Sequence, residues 1–325
     1  MTKPPIPSNR GISAWFLNQP YLLLALAPLF WGGNVVAAKL VVGEVDAFLL
    51  LAARCVGATL FILPFAWQHL KRDWPVIRRI WPMLMIYGAI GYALFNAFLY
   101  SGVQYTSAVN SSIEQASLPM LIMGANFLIF RVRAHWLQIA GVLIAIFGVV
   151  LTATHGDPIR LVALEINQGD GLIILACLTY TTYTLALRFR PEIDLMSFMA
   201  VAFSGAAITS VIMLHVLGGG VGQFATLVDV SPVGWGAIAF VAIFPSMFSQ
   251  VFYARGVELL GPNRAAPTHN LIPVYGTLLS VIVLGEPLMG YHYLAGAIIV
   301  CGIVLAEWSA RRFWRAASGS APINR

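Results

Sequence analysis

The side chains able to do chemistry recur at helical spacing inside otherwise apolar runs. Tyr92, Asn96 and Tyr100 fall four residues apart and so share one helix face, and Ser246, Gln250 and Tyr253 do much the same. Glu114 and Gln115 stand together in another run, Thr268, His269 and Asn270 in a fourth, while Trp31, Asn34, Tyr180 and Tyr183 add rings and an amide from two more. Amides can hydrogen-bond a carboxylate, and rings stack on an apolar group or attract a cation. This chemistry suits reversible binding of a small amphipathic molecule. Covalent chemistry would need a constellation the sequence lacks: there is no His-Glu-x-x-His, no Gly-x-Ser-x-Gly, no phosphate-binding loop and no paired mid-run carboxylates.

Further residues take candidate roles by type and place. Glu114 and His269 are the titratable groups best placed to carry a proton. Pro119 and Pro273 sit at matching places in two apolar runs and could free a backbone carbonyl as hinges; ordinary kinks are the alternative. Lys39 and Arg54 are expected toward the outer face, where Glu44 or Asp46 could pair with them as an outer gate, with snorkelling to the interface as the alternative. Cys55, Cys177 and Cys301 each lie in an apolar run with no second ligand at metal spacing, so neither a disulfide framework nor a metal site is expected, and no cofactor is implied.

The elements that position these groups must be membrane helices. Of 325 residues 59% are hydrophobic and only 10% charged, and the mean hydropathy is +0.81. A soluble domain carries roughly a quarter of charged residues. The excess of 19 Lys and Arg over 13 Asp and Glu would suit a nucleic-acid partner, but a chain with only 10% charged residues has too little polar surface to build such a face, so the expected partner is the lipid bilayer. A span needs about 20 helical residues, and ten runs of that order appear: Tyr21 to Val41, Ala47 to Gln68, Ile80 to Val103, Ala108 to Phe130, Trp136 to Thr154, Gly171 to Arg188, Leu195 to Leu217, Val233 to Ala254, Ala265 to Leu284 and Tyr291 to Trp308. The first contains Ala25-Leu26-Ala27, which resembles a processing site, but the run continues to full spanning length and is expected to be retained.

With an even count and both termini cytoplasmic, sixteen of the nineteen basic residues fall on the inner side, the exceptions being Lys39, Arg54 and Arg160. The expected layout is therefore a cytoplasmic segment 1–20, a first unit 21–155, an outer linker 156–170, a second unit 171–308 and a cytoplasmic tail 309–325.

The two units are related. At a shift of 154, Gly102-Val103 falls on Gly256-Val257, Tyr92 on Ser246, Asn96 on Gln250, Gln115 on His269 and Pro119 on Pro273; at a shift of 149, Trp31 falls on Tyr180, Asn34 on Tyr183 and Lys39 on Arg188. Five spans per unit is odd, so the halves are inverted, and inverted halves can rock about a midplane site. A channel would instead show a ring of like groups.

Phe30-Trp31-Gly32-Gly33-Asn34 with Lys39, Ala53-Arg54, the run Tyr100 to Pro119, Gly256-Val257 to Pro273, and Leu284-Gly285-Glu286-Pro287 followed by Gly296 and Gly302 stand in an order that resembles the drug/metabolite transporter superfamily, in its bacterial form with two tandem five-helix domains. The resemblance spans about Leu22 to Trp308 and is greatest to exporters of aromatic amino acids and of methyl viologen. It implies an all-α membrane protein of ten helices in the inner membrane of a bacterium, exporting amino acids, aromatic and other neutral ones first, by alternating access, with organic cations or another small metabolite as alternative cargo; the oligomeric state is left open and a monomer is compatible with it. One departure stands out: the first unit has Arg131-Val132-Arg133 where the second has Gly285-Glu286.

Overall fold

The computed structural model describes residues 15–131, 136–157, 167–260, 268 and 270–318. These form an all-α membrane fold. Its helices are α1 (Pro20–Leu40), α2 (Ala47–Gly88), α3 (Phe95–Gly102), α4 (Ala108–Gln115), α5 (Leu118–Phe130), α6 (Trp136–Ala153), α7 (Gln168–Ala186), α8 (Leu195–Val216), α9 (Pro232–Ile243), α10 (Ser249–Leu260), α11 (Leu271–Leu284) and α12 (Gly290–Ser318). Two π-helical turns, Ala89–Leu94 and Phe244–Phe248, join α2 to α3 and α9 to α10.

Six helical stretches among the described residues are long and apolar enough to cross a bilayer, and three shorter apolar helices accompany them. One of the six runs 56 residues from Ala47 to Gly102, where the sequence predicts two spans and a loop. It must double back. Asp46 and Phe48 lie against Gly218 just beyond the end of α8, Arg72 pairs with Asp194 at its start, and Met85 then returns to touch Gly205 halfway along it. The reversal near Pro75, which brings no N–H to the helical ladder, keeps helical bonding where a loop was expected. Counted as two, this run brings the apolar helical segments among the described residues, long and short together, to the ten runs predicted.

The segments pack with the inverted symmetry of the repeat. The first span lies on α10 and α11, while α7 lies on α3 and on α4–α5, which are their repeat equivalents. Each unit's second and fifth spans meet their counterparts across the axis: α2 with α8, and α6 with α12, where Gly141 faces Gly302. Even the irregularities repeat. The π turns coincide at a shift of 154, with Phe95 N–H bonding Ile90 O and Ser249 N–H bonding Phe244 O. The break between α4 and α5 at Ala116–Ser117 matches the irregular Thr268 and Asn270 before α11. Pro119 therefore falls in the first turn of α5, where a missing N–H costs nothing, and Pro273 stands third in α11.

The Arg131 departure leaves this symmetry intact. Arg131 (φ 51°) and Gly285 (φ 67°) both close their helices in the left-handed conformation, so the first unit accepts with an arginine the strain that glycine avoids in the second.

Candidate functional site

Arg54 organises the centre of the molecule. It stands seven residues into α2, about 10 Å along the helix, and is only 7% exposed. Its Nη1 donates to Asn34 Oδ1 (2.7 Å) of α1 and to Asn96 Oδ1 (2.6 Å) and Tyr100 Oη (2.7 Å) of α3, and its Nε donates to Ser246 Oγ (3.0 Å) of the second π turn. Tyr100 in turn donates to Asn34 Oδ1 (2.8 Å). The first π turn rotates α3 so that Asn96 Nδ2 reaches Tyr92 O (2.7 Å), which fixes its oxygen toward the guanidinium.

This corrects the expectation of an outer Arg54 pairing with an acid. Glu44 instead accepts from the backbone and hydroxyl of Ser231, and Asp46 caps the start of α2 through the N–H groups of Phe48 and Leu49. No described carboxylate lies in ion-pair distance of Arg54, and its Nη2 bonds no described residue. Lys39 is likewise turned inward, its Nζ donating to the carbonyls of Val103 and Thr106 (both 2.7 Å), where it ties α1 to the end of α3.

Rings surround this charge. Tyr92 and Tyr183 share a hydrogen bond (3.0 Å), Tyr92 stacks on Phe203, and Tyr180 meets Phe95 and Tyr183. Tyr183 fits because Gly91 carries no side chain; a Cβ there would overlap its ring. On the other side Trp31 packs on Tyr253 and donates to Pro245 O (3.1 Å). Gln250 is half-buried and hydrogen-bonds no described residue, and Asn270 is half-buried. His269 lies outside the described residues.

Two predicted residues stand apart from the Arg54 cluster. Gln115 turns back to Ser111 O on its own helix (3.1 Å). Glu114 is fully buried and lies one helical turn beyond Asn110, which belongs to a second polar group that the sequence reading did not assemble: Thr106, Asn110, Asp170, His155 and His292. Asp170, read as an outer-loop acid, is fully buried at the start of α7. The spacing of Asn110 and Glu114 by four residues was the one sequence signal for this group. Glu286 closes it from above, its carboxylate accepting from the N–H groups of Ala108 and Val109 at the positive end of α4.

At the opposite, basic end, His69 and Arg72 of α2 grip Asp194 before α8 (both contacts 3.2 Å). Burial alone would raise the Asp194 carboxyl, but the Met196 N–H, Arg72 and His69 together hold it below the usual carboxylate range.

A profile of the EamA-like transporter family matches residues 18–154 and again 167–308. The chain belongs to the EamA-like transporter family. Among curated relatives it is 25% identical to the uncharacterized transporter YyaM of Bacillus subtilis, covering 88% of this chain and 93% of that one. It is 25% identical to an uncharacterized transporter of Archaeoglobus fulgidus (89% and 97%) and 22% identical to the uncharacterized inner membrane transporter YicL of Salmonella typhimurium (91% and 97%). A solved crystal structure at 20% identity shares the fold with a TM-score of 0.59 over 90% of this chain and 98% of that one. As an EamA-like transporter the protein is a multi-pass membrane carrier for a small molecule, and it is not an enzyme.

Proposed function

We propose that this EamA-like transporter exports amino acids, aromatic and other neutral ones first, across the bacterial inner membrane by alternating access about the Arg54 cluster, with its basic end in the cytoplasm. The observation that carries the reading is the uncompensated charge of Arg54. A buried guanidinium whose described partners are all neutral leaves a net positive charge in a low-dielectric site, and an arriving carboxylate supplies what is missing. Trp31, Tyr180, Tyr183 and Tyr253 offer faces for a side chain and for an ammonium group. Alternation would use the broken helices, with Pro119 and Pro273 beside the breaks.

An organic cation such as methyl viologen, the other cargo implied by the resemblance, would meet Arg54 as a like charge and is disfavoured. A different anionic metabolite of similar size is the second reading, since the same guanidinium would hold it.

The test is counterflow of labelled L-phenylalanine in proteoliposomes, with competition by other amino acids and by phenethylamine, which lacks the carboxylate. Phenylalanine should exchange and phenethylamine should compete poorly. Arg54→Met should lower exchange roughly 10- to 100-fold, the worth of a charge-assisted hydrogen bond of about 1.5–3 kcal/mol. Competition by phenethylamine equal to that of phenylalanine would overturn the carboxylate role. Absence of exchange for every amino acid, with exchange of a non-amino-acid anion, would favour the second reading.

A further inference from the structure

The Arg54 site leaves the second polar group unexplained. Glu114 of α4 is 0% exposed and neither of its carboxyl oxygens has a hydrogen-bond partner. Asp170 of α7 is also 0% exposed; its Oδ1 accepts from the Thr106 hydroxyl and its Oδ2 has no partner. The two acids stand on α4 and α7, which pack against each other, and carry like charges when both are ionised. Ser111, one turn before Glu114 on the same helix, is a third fully buried polar group with an unpartnered oxygen.

Among the described residues the surrounding elements supply no cation to Glu114, and α11, which packs on α4, carries Tyr275 as its one titratable side chain. From α6, His155 is exposed, approaches Asn110 (3.5 Å) and lies within electrostatic reach of Asp170. From α12, His292 is turned to Asn110 Oδ1 (2.8 Å) and to the Met289 N–H, and Tyr291 lies near Asp170. Glu286 faces Lys39 of α1, which is held by two carbonyls. From α7, Cys177 approaches only the backbone carbonyl of Glu114 (4.0 Å). Among the described residues no group of three potential metal ligands exists. Two buried carboxyls with orphaned oxygens on packed helices call for a positive charge that no described residue provides. The smallest one, a proton, requires no further ligand.

We infer that Glu114 and Asp170 form a proton-binding site of the transporter, loaded from the exposed His155 face and discharged toward the substrate cavity. The order of groups along α7 supports that route. Asp170 begins the helix, Cys177 lies opposite the Glu114 backbone, and Tyr180 and Tyr183 follow in the ring cluster. Glu114 thus lies between the surface histidine and the cargo, directly before the break at Ala116–Ser117. One proton binds a carboxylate on the His155 side and leaves as hydronium on the other as one zwitterion passes the opposite way; no other reactant is needed. The inference rests on the transport reading.

Two measurements separate the two. Infrared difference spectra of the lipid-reconstituted protein, titrated with no amino acid present across the pH range in which it stays folded, should show a carboxyl band that titrates and is lost in Glu114→Gln. In proteoliposomes, a pH gradient should drive accumulation of labelled phenylalanine up to about tenfold per unit for one-to-one exchange. Glu114→Gln should keep counterflow at symmetric pH and lose the response to the gradient. A wild-type protein that counterflows but ignores the gradient, or a Glu114→Gln protein that still follows it, would overturn the inference. Should no amino acid exchange at all, the transport reading fails, and the infrared titration still decides the proton site: no titrating band lost in Glu114→Gln overturns it. If Glu114→Gln does not fold, Asp170→Asn must move the midpoint of that band, and an unmoved midpoint overturns it equally.

Discussion

Arg54 shows what residue spacing can and cannot reveal. Its partners were legible: Asn34, Asn96, Tyr100 and Ser246 were all drawn from polar positions repeated within apolar runs, and four of them meet at one guanidinium. Arg54 itself was misplaced because spacing gives depth along a helix and not the direction of a long side chain, and an arginine two turns from a helix start ordinarily snorkels out. Asp170 was missed for a related reason: in sequence it closes the expected outer linker 156–170, while in space its Oδ1 accepts from the buried Thr106 hydroxyl. The mutational consequence can be graded. Asn96→Ala removes an acceptor from Arg54 and unpairs Tyr92 O, so phenylalanine exchange should fall about tenfold or more, the range expected when a hydrogen bond to a charged group is lost. Gln250→Ala removes an amide with no described protein partner and should lower exchange by less, in protein that keeps its circular-dichroism spectrum. Unchanged exchange in both variants would remove the central cavity from the mechanism.

At the scale of elements the ten apolar runs were readable, because a span must satisfy all its backbone groups internally and so leaves a long unbroken pattern. The breaks were not. A π turn carries one residue more than the α-helical register; Pro245, which lacks an N–H, is a local cause for the second, but nothing in the composition of Ala89–Leu94 demands the first. The loop expected after Gln68 was equally beyond reach of hydropathy, since Trp74, Pro75 and Ile77 continue helically through the reversal. The π turn has a function that can be tested. At 3.6 residues per turn, deleting one residue rotates everything beyond it by about 100°. Deletion of Ala93 should therefore swing Asn96 and Tyr100 off Arg54, abolishing exchange while leaving helical content unchanged by circular dichroism. Retained exchange would mean that the bulge does not set the register of the site. Deleting an exposed residue of the Val221–Asp229 turn, which touches none of these groups, is the control.

For the whole molecule, ties at both ends bear on alternation. At the basic end Asp194 is held by His69, Arg72 and Asp73, the Tyr87 hydroxyl donates to Ala186 O, and Arg255 donates to Leu17 O and to Asn18 Oδ1 (2.9 Å). At the other end Lys39 binds α1 to the close of α3, Glu286 binds the start of α12 to α4, Thr106 meets Asp170, and His292 meets Asn110. Opening that end requires the Glu286 carboxylate to leave the N–H groups of Ala108 and Val109, a capping interaction worth about 1–2 kcal/mol. Glu286→Ala should accordingly raise the population open at that end about 5- to 30-fold. The readout is the rate at which a membrane-impermeant thiol reagent labels Ser111→Cys, a fully buried position on α4, in a background with the exposed Cys301 changed to Ser and Cys55 and Cys177 left buried. Faster labelling after Glu286→Ala, with no rise in the parent lacking the Ser111 cysteine, is expected. An unchanged rate would mean that Glu286 only caps a helix and that the other ties hold this end closed on their own.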